Sequence, residues 1–290
     1  MATATGIPFM SDVWADLPIE LVRAIFEFAA ASDRQSALTL SLVCVAARSW
    51  TAPALYRTVR LDTARALKAF TIVPPAFTVH VQHLGIFAPG PLSAICTVLA
   101  ACTDTRSLAC GVPLAPLQST VPASTAAEQH LLAGAITRCR DDEAQWDDWA
   151  PGGKATRLRV QLPGGAGWDV LAPERLRHWP ALTHLAVVFT PCADAADARE
   201  AFDAAMRAVD ELGLALVLLQ VAGGAARRRA TMEELSKMTD ERKGCRIVVG
   251  AAPLSPSRQW ELATRDGTSI WSAAEKIVAT RRAAPATVTS

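Results

Sequence analysis

The chain has 290 residues, 29 basic against 28 acidic side chains, and is 51% hydrophobic. That length holds one large domain or two ordinary ones with a true core, and a disordered, collagen-like or fibrous chain is excluded. The net charge of +1 removes the main argument for nucleic acid, which calls for a basic face.

Residues 1 to 12 are small and polar and read as a flexible arm, without the basic stretch or apolar run of a signal peptide. From Trp14 the character changes. Leu21, Val22, Ile25, Phe26 and Ala29 fall at helical spacing, with Pro18 and Glu20 suited to a helix start. Ser32-Asp33 reads as a fresh N-cap, opening a second helix to about Ala47. Its Leu38, Leu40, Leu42, Val43, Cys44 and Val45 make it apolar on nearly all sides, so it must be covered on two faces. Pro53 starts a short third segment, and Thr58-Val59-Arg60-Leu61 alternates like a strand. A block this short rarely builds a sufficient core alone, so its surplus apolar surface calls for a second body.

Beyond Phe70 short strand-like runs are centred on Leu84, Leu108, Leu158, Leu185, Leu216 and Ile247. Helix-like stretches lie between them at Pro91 to Ala101, Ala123 to Arg140, Trp168 to Arg177, Ala193 to Leu212 and Thr231 to Glu241. The alternation predicts an α/β fold with parallel strands and helical crossovers. The strand centres are 24, 50, 27, 31 and 31 residues apart, a repeat-like period in which the long gap spans about two. Val81-x-x-Leu84-x-Ile86 and Leu182-x-x-Leu185-x-Val187 share a frame, with Ala155-x-x-Leu158-x-Val160 a weaker copy. Alternate apolar residues would then point into the core while the intervening ones line an exposed sheet face. Leu254 to Ala283 reads as helical with a break near Asp266-Gly267, and residues 284–290 read as a tail.

The skew in composition is strong: 56 alanines, no asparagine, and 24 arginines against five lysines. It reads as coding bias of a GC-rich genome, and such small side chains need many close helix contacts to make a core. The longest apolar window, Leu214 to Ala226, is interrupted and falls short of the roughly 20 residues that span a bilayer. Cys44, Cys96, Cys102, Cys110, Cys139, Cys192 and Cys245 lack paired spacing and read as reduced thiols. The expectation is a soluble protein of cytoplasm or nucleus, with no membrane partner.

The first block resembles an F-box, in the variant abundant in mushroom-forming fungi. The resemblance rests on Asp16-Leu17-Pro18-Ile19-Glu20-Leu21, Ile25-Phe26-Glu27-Phe28-Ala29, Leu40-Ser41-Leu42-Val43-Cys44, Arg48-Ser49-Trp50 and Pro53-Ala54-Leu55-Tyr56-Arg57-Thr58-Val59. It covers residues 13–61, about a sixth of the chain. Two departures stand out: Trp50 follows Cys44 by six residues where the family usually has three, and Phe28 to Asp33 is alanine-rich. The resemblance implies an adaptor that docks on the Skp-type linker of a cullin–RING (SCF-type) ubiquitin ligase, with the following region binding a protein substrate. Carried over residue by residue, Leu17, Pro18, Leu21, Ile25, Leu42, Val43 and Trp50 would lie at or behind the linker interface. Residues 62–283 are similar to degenerate leucine-rich repeats, which implies an irregular α/β solenoid. The asparagine-ladder position is filled by Pro89, Pro163 or Thr190.

Catalytic constellations are weak. Gly164-Gly165-Ala166-Gly167 has Val170 where a dinucleotide loop needs glycine, and Gly152-Gly153-Lys154 lacks the rest of a phosphate loop, so both read as turns. His80, His83, His178 and His184 have no partner at metal spacing and read as structural. Arg227-Arg228-Arg229 reads as a solvated loop. Asp141, Asp142, Glu143, Asp147 and Asp148, interleaved with Trp146 and Trp149, read first as solvated surface. Trp146, Asp147, Asp148 and Trp149 also make a candidate protein-binding patch, because exposed tryptophan is costly without a use. The expectation is a non-enzymatic adaptor without metal or cofactor. Two alternatives stand beside it: a self-contained repeat scaffold whose F-box-like helices only cap the solenoid, and an open-sheet enzyme, for which the sequence supplies no convergent polar set.

Overall fold

The computed structural model describes residues 17–111, 126–132, 154–162, 168–177, 179–191, 195–242 and 244–283. The chain divides into two compact units, Met1–Arg57 and Thr58–Ser290.

The described residues of the first unit form three helices, α1 (Ile19–Ser32), α2 (Arg34–Ser41) and α3 (Val45–Tyr56). Asp33 caps α2 by accepting from the Ser36 amide at 2.9 Å, as its sequence position predicts. The second helix ends earlier than expected. Leu42 and Val43 close it with bonds to the carbonyls of Thr39 and Leu40, and Cys44 becomes the cap of α3, its Sγ accepting from the Ala47 amide at 3.3 Å. Two helices can turn their apolar residues in more directions than one, which relieves the all-round apolar stretch. Pro53 does not begin a segment but lies inside α3. It is tolerated because Ser49, whose carbonyl loses its usual donor, is exposed to water.

The second unit is one eight-stranded, all-parallel sheet: β1 (Thr58–Leu61), β2 (His83–Ile86), β3 (Ser107–Cys110), β4 (Glu128–Leu131), β5 (Arg157–Gln161), β6 (His184–Phe189), β7 (Leu216–Val221) and β8 (Ile247–Ala251). Strand order follows chain order without reversal, so the sheet has no topological switch point. β1 adjoins the helical block in sequence but belongs to the sheet. Every strand centre read from the sequence is a strand. The stretch expected as a helix from Ala123 to Arg140 is corrected at β4, which supplies the missing period in the long gap. Its Glu128-Gln129-His130 has no apolar alternation to announce a strand.

Between the strands lie α4 (Ala64–Phe70), α5 (Pro75–Thr78), α6 (Leu92–Ala101), α7 (Pro173–Leu176), α8 (Ala195–Leu212) and α9 (Ala225–Asp240). A 3-10 turn, Trp168–Leu171, precedes α7, so the expected Trp168 to Arg177 helix is broken in two. α9 starts six residues earlier than its apolar pattern indicates, and Arg227-Arg228-Arg229 lie in its first turns rather than in a loop. Two last helices follow β8: α10 (Pro256–Asp266) and α11 (Ile270–Ala283). Gly267 separates them at φ +65°, a left-handed conformation that glycine adopts without steric cost.

The register is uniform along the sheet. One side carries Leu84, Leu108, Leu158, Leu185, Val217 and Ile247, all buried, with Ile86, Cys110, Leu131, Val160, Val187 and Leu219 beside them. The other side is the one expected to be exposed, and it is covered instead. Its rows run Thr58, His83, Ser107, Glu128, Arg157, His184, Leu216 and Arg60, Gly85, Ala109, His130, Arg159, Ala186, Leu218, Val248. At the β6–β8 end these rows turn apolar, and Trp271, Ala274 and Val278 of α11 bury Ala186, Leu216, Leu218 and Val248. That end could not be left to water, which is why the C-terminal helices fold back over it.

Candidate protein-binding surfaces

Among the described residues of the helical unit the buried side chains are all small: Ala30, Ala37, Ser41, Ala47, Thr51 and Ala52. Its larger apolar residues face outward. Leu42 is 78% exposed, Val43 62%, Leu21 52% and Ile25 44%. Pro18, just before α1, is exposed, and Leu17 is half-buried. Trp50 is half-buried, packed edge-on against Phe26 with ring centroids 5.8 Å apart, so it braces α3 against α1. Ile19, Phe28, Leu38 and Val45 are exposed as well and extend the apolar surface beyond the residues carried over from the resemblance. The signal for Leu38 and Val45 was the apolar character of the second predicted helix on nearly all sides, and Ile19 and Phe28 stand within the stretches that carry the resemblance.

The covered sheet face is a second candidate, and sequence reasoning missed it. Glu128 Oε1 on β4 accepts from His130 Nε2 at 2.8 Å and from the Trp271 indole at 2.9 Å. Burial pushes the Glu128 carboxyl up, but the His130 hydrogen bond and charge, the indole and Arg157 outweigh it and hold the carboxyl at about 2. His130 is wholly buried, and desolvation keeps its imidazole below the usual range against the pull of Glu128. We read the pair as a carboxylate accepting from a neutral imidazole protonated at Nε2. That leaves Nδ1 as a buried acceptor with no partner among the described residues.

Beside His130 in register stands Arg159 on β5, with no exposed surface. Its Nη2 donates to Gln259 Oε1 of α10 at 2.8 Å, while Nε and Nη1 find no partner among the described residues. Burial lowers its pKa to about 10, with the Glu128 charge opposing, so the guanidinium stays charged at neutral pH. A buried cation satisfied at one corner costs on the order of several kcal/mol. Around it the C-terminal helices meet the sheet group by group. Glu261 pairs with Arg60 at 2.5 Å, Trp260 donates to Ser107 Oγ at 2.9 Å, and Glu275 sits 3.2 Å from both Arg157 and His184. His184 is itself pushed down by burial and by Arg157, against the opposing effect of Glu275.

The remaining sequence candidates separate. Trp146, Asp147, Asp148 and Trp149 lie outside the described residues, as do Gly152, Gly153, Gly164 to Gly167, His178, Cys139 and Cys192, the 1–12 arm and the 284–290 tail. His80 and His83 lie on either side of Val81, before and at the start of β2, and no cluster among the described residues could hold a metal ion. No described helix is long and apolar enough to cross a membrane. Comparison with protein-family models and with curated proteins finds no match to this chain.

Proposed function

We propose that this chain is the substrate-recognition adaptor of an SCF-type ubiquitin ligase. The helical unit α1–α3 docks on a Skp-type linker and through it on a cullin, and the sheet unit binds the protein to be ubiquitinated. The observation that carries this reading is the exposed apolar set Leu21, Ile25, Leu42 and Val43 on a unit whose buried residues, among those described, are all small. Apolar surface of that density gains roughly 25 cal/mol per Å² when a partner covers it, before the costs of association. The ordered sequence from Leu17 to Tyr56 names the partner by resemblance. The parallel strands in chain order, starting 21 to 32 residues apart, support an irregular leucine-rich-repeat-like solenoid behind it. A cytoplasmic or nuclear location follows from that role.

Co-purification with a Skp-type linker tests the proposal. The full chain is expected to form a stable complex, and Leu21→Asp combined with Val43→Asp is expected to abolish it. Both side chains are more than half exposed, so the double variant should keep the far-UV circular dichroism of the parent. A complex that survives the double substitution, or none with the parent, overturns the reading.

A further inference from the structure

The polar end of the covered sheet face is built around one side chain of α10. Trp260 is 2% exposed and lies over Gly85, where a Cβ would come within 2.6 Å of the indole and 2.8 Å of the Phe87 ring. Only glycine leaves room for the ring. Phe87 meets the indole edge-on at 6.1 Å, Ser107 Oγ accepts its N–H, and the Arg60 guanidinium sits 6.0 Å over Phe87. The residues flanking the tryptophan are read by cations: Glu261 by Arg60, and Gln259 by Arg159.

The second of these pairings is poorly matched. Arg159 offers a fork of donors, and the neutral amide of Gln259 takes one, leaving Nε and Nη1 without partners among the described residues. A carboxylate in that place would accept two parallel bonds and neutralise a buried charge. α10 also buries little apolar surface. Trp260 is its one buried residue, whereas α11 buries Trp271, Ala274 and Val278. The helix is bounded by the fully exposed Leu254 on one side and left-handed Gly267 on the other. An element with so few buried apolar contacts opens at a lower free energy than the sheet beneath it.

We propose that Gly85, Phe87 and Ser107, flanked by Arg60 and Arg159, form a recognition slot for a helical segment bearing a tryptophan between two acidic residues, and that Gln259-Trp260-Glu261 fills the slot in cis as a weaker stand-in. The better ligand is a protein segment with a carboxylate where α10 has Gln259. Assigning the slot to target recognition rests on the adaptor reading above.

The probe is a labelled synthetic peptide of the α10 sequence, Ser255 to Gly267, with glutamate in place of Gln259. Fluorescence anisotropy with the full-length Trp260→Gly chain is expected to show binding at least ten-fold tighter than with the parent, whose slot is occupied. The glutamine form of the peptide should bind Trp260→Gly at least ten-fold more weakly than the glutamate form, and a peptide with alanine for tryptophan should not bind. Adding Gly85→Val to Trp260→Gly fills the slot and should abolish binding. Equal affinity for parent and Trp260→Gly, indifference to Gly85→Val, or no preference for glutamate overturns the proposal. Should Trp260→Gly fail to fold, native-state hydrogen exchange on the parent decides. Amides of α10 are expected to open before those of α11 and the sheet, and their opening only together with the sheet overturns it. No ligase subunit enters these experiments, so their failure leaves linker docking standing, and failed linker docking leaves the slot standing.

Discussion

At the scale of single residues the covered sheet face stores a pH dependence. Glu128 is held at about 2 against an ordinary value of 4.5, while His130 and His184 are both held below 6.5. A folded-state pKa below the unfolded one means that the unfolded chain binds more protons over that interval, so acid favours unfolding. The histidine contributions are present above about pH 6.5 and are lost as the pH falls below it. The Glu128 contribution is lost between about pH 4.5 and 2. Thermal unfolding followed by circular dichroism should therefore show Tm falling from pH 7 to pH 5. In His130→Gln, which offers Glu128 an uncharged amide donor, the fall should be shallower, with His184 still contributing. A level parent Tm over this range would mean that burial does not shift the two imidazoles, and a Tm that rises towards pH 5 would mean that the fold favours their charged form, reversing the assignment made from burial.

At the scale of elements, the C-terminal pair α10–α11 is the feature that most changes what the sheet can do. The two helices are joined by Gly267, Thr268 and Ser269, and the direction of the second is set by the left-handed glycine. Gly267→Ala puts a Cβ where L residues are strained and should cost about 1 kcal/mol, a fall of about 2–4 °C in Tm for a unit of this size. A neutral or stabilising result would show that the turn relaxes without strain. These helices and their break were legible in the sequence, and so were the strands centred on apolar residues, because period and punctuation are local. Their destination was not legible. β4 went unseen because its Glu128 is polar on account of Trp271, 143 residues further on. The same long reach hid the slot. Gly85 reads alone as a weak strand residue, and Arg159 as a solvated one, until Trp260 and Gln259 are brought onto them. In the helical unit the apolar residues at the candidate surface were all visible, since exposure there follows from having too few small-cored contacts to bury them.

At the scale of the whole molecule, the two units have opposite ways of handling apolar surface. Thr58–Ser290 contains the eight strands of the sheet and buries many large side chains, with Leu84, Leu158, Leu185, Trp260 and Trp271 all 2% exposed or less, although Ile72 and Leu254 lie outside. The described residues of Met1–Arg57 bury alanine, serine and threonine and leave Leu42, Val43 and Phe28 out, the last 81% exposed. Burial of large apolar groups is the dominant favourable term in folding, so the larger unit has its own source of cooperativity and the smaller one does not. Residues 58–290 expressed alone should show one cooperative thermal transition. Residues 1–57 alone should show none, gaining helical circular dichroism and a sharp transition only when a Skp-type linker is added. Aggregation of 58–290 would favour the reading in which the helices serve to close the open edge of the sheet. A stable, linker-independent 1–57 would mean that its exposed leucines and valines are not waiting for a partner. The expected pair of outcomes would make the helical unit a segment whose folding is completed by what it binds, with the same residues serving as its core and its interface.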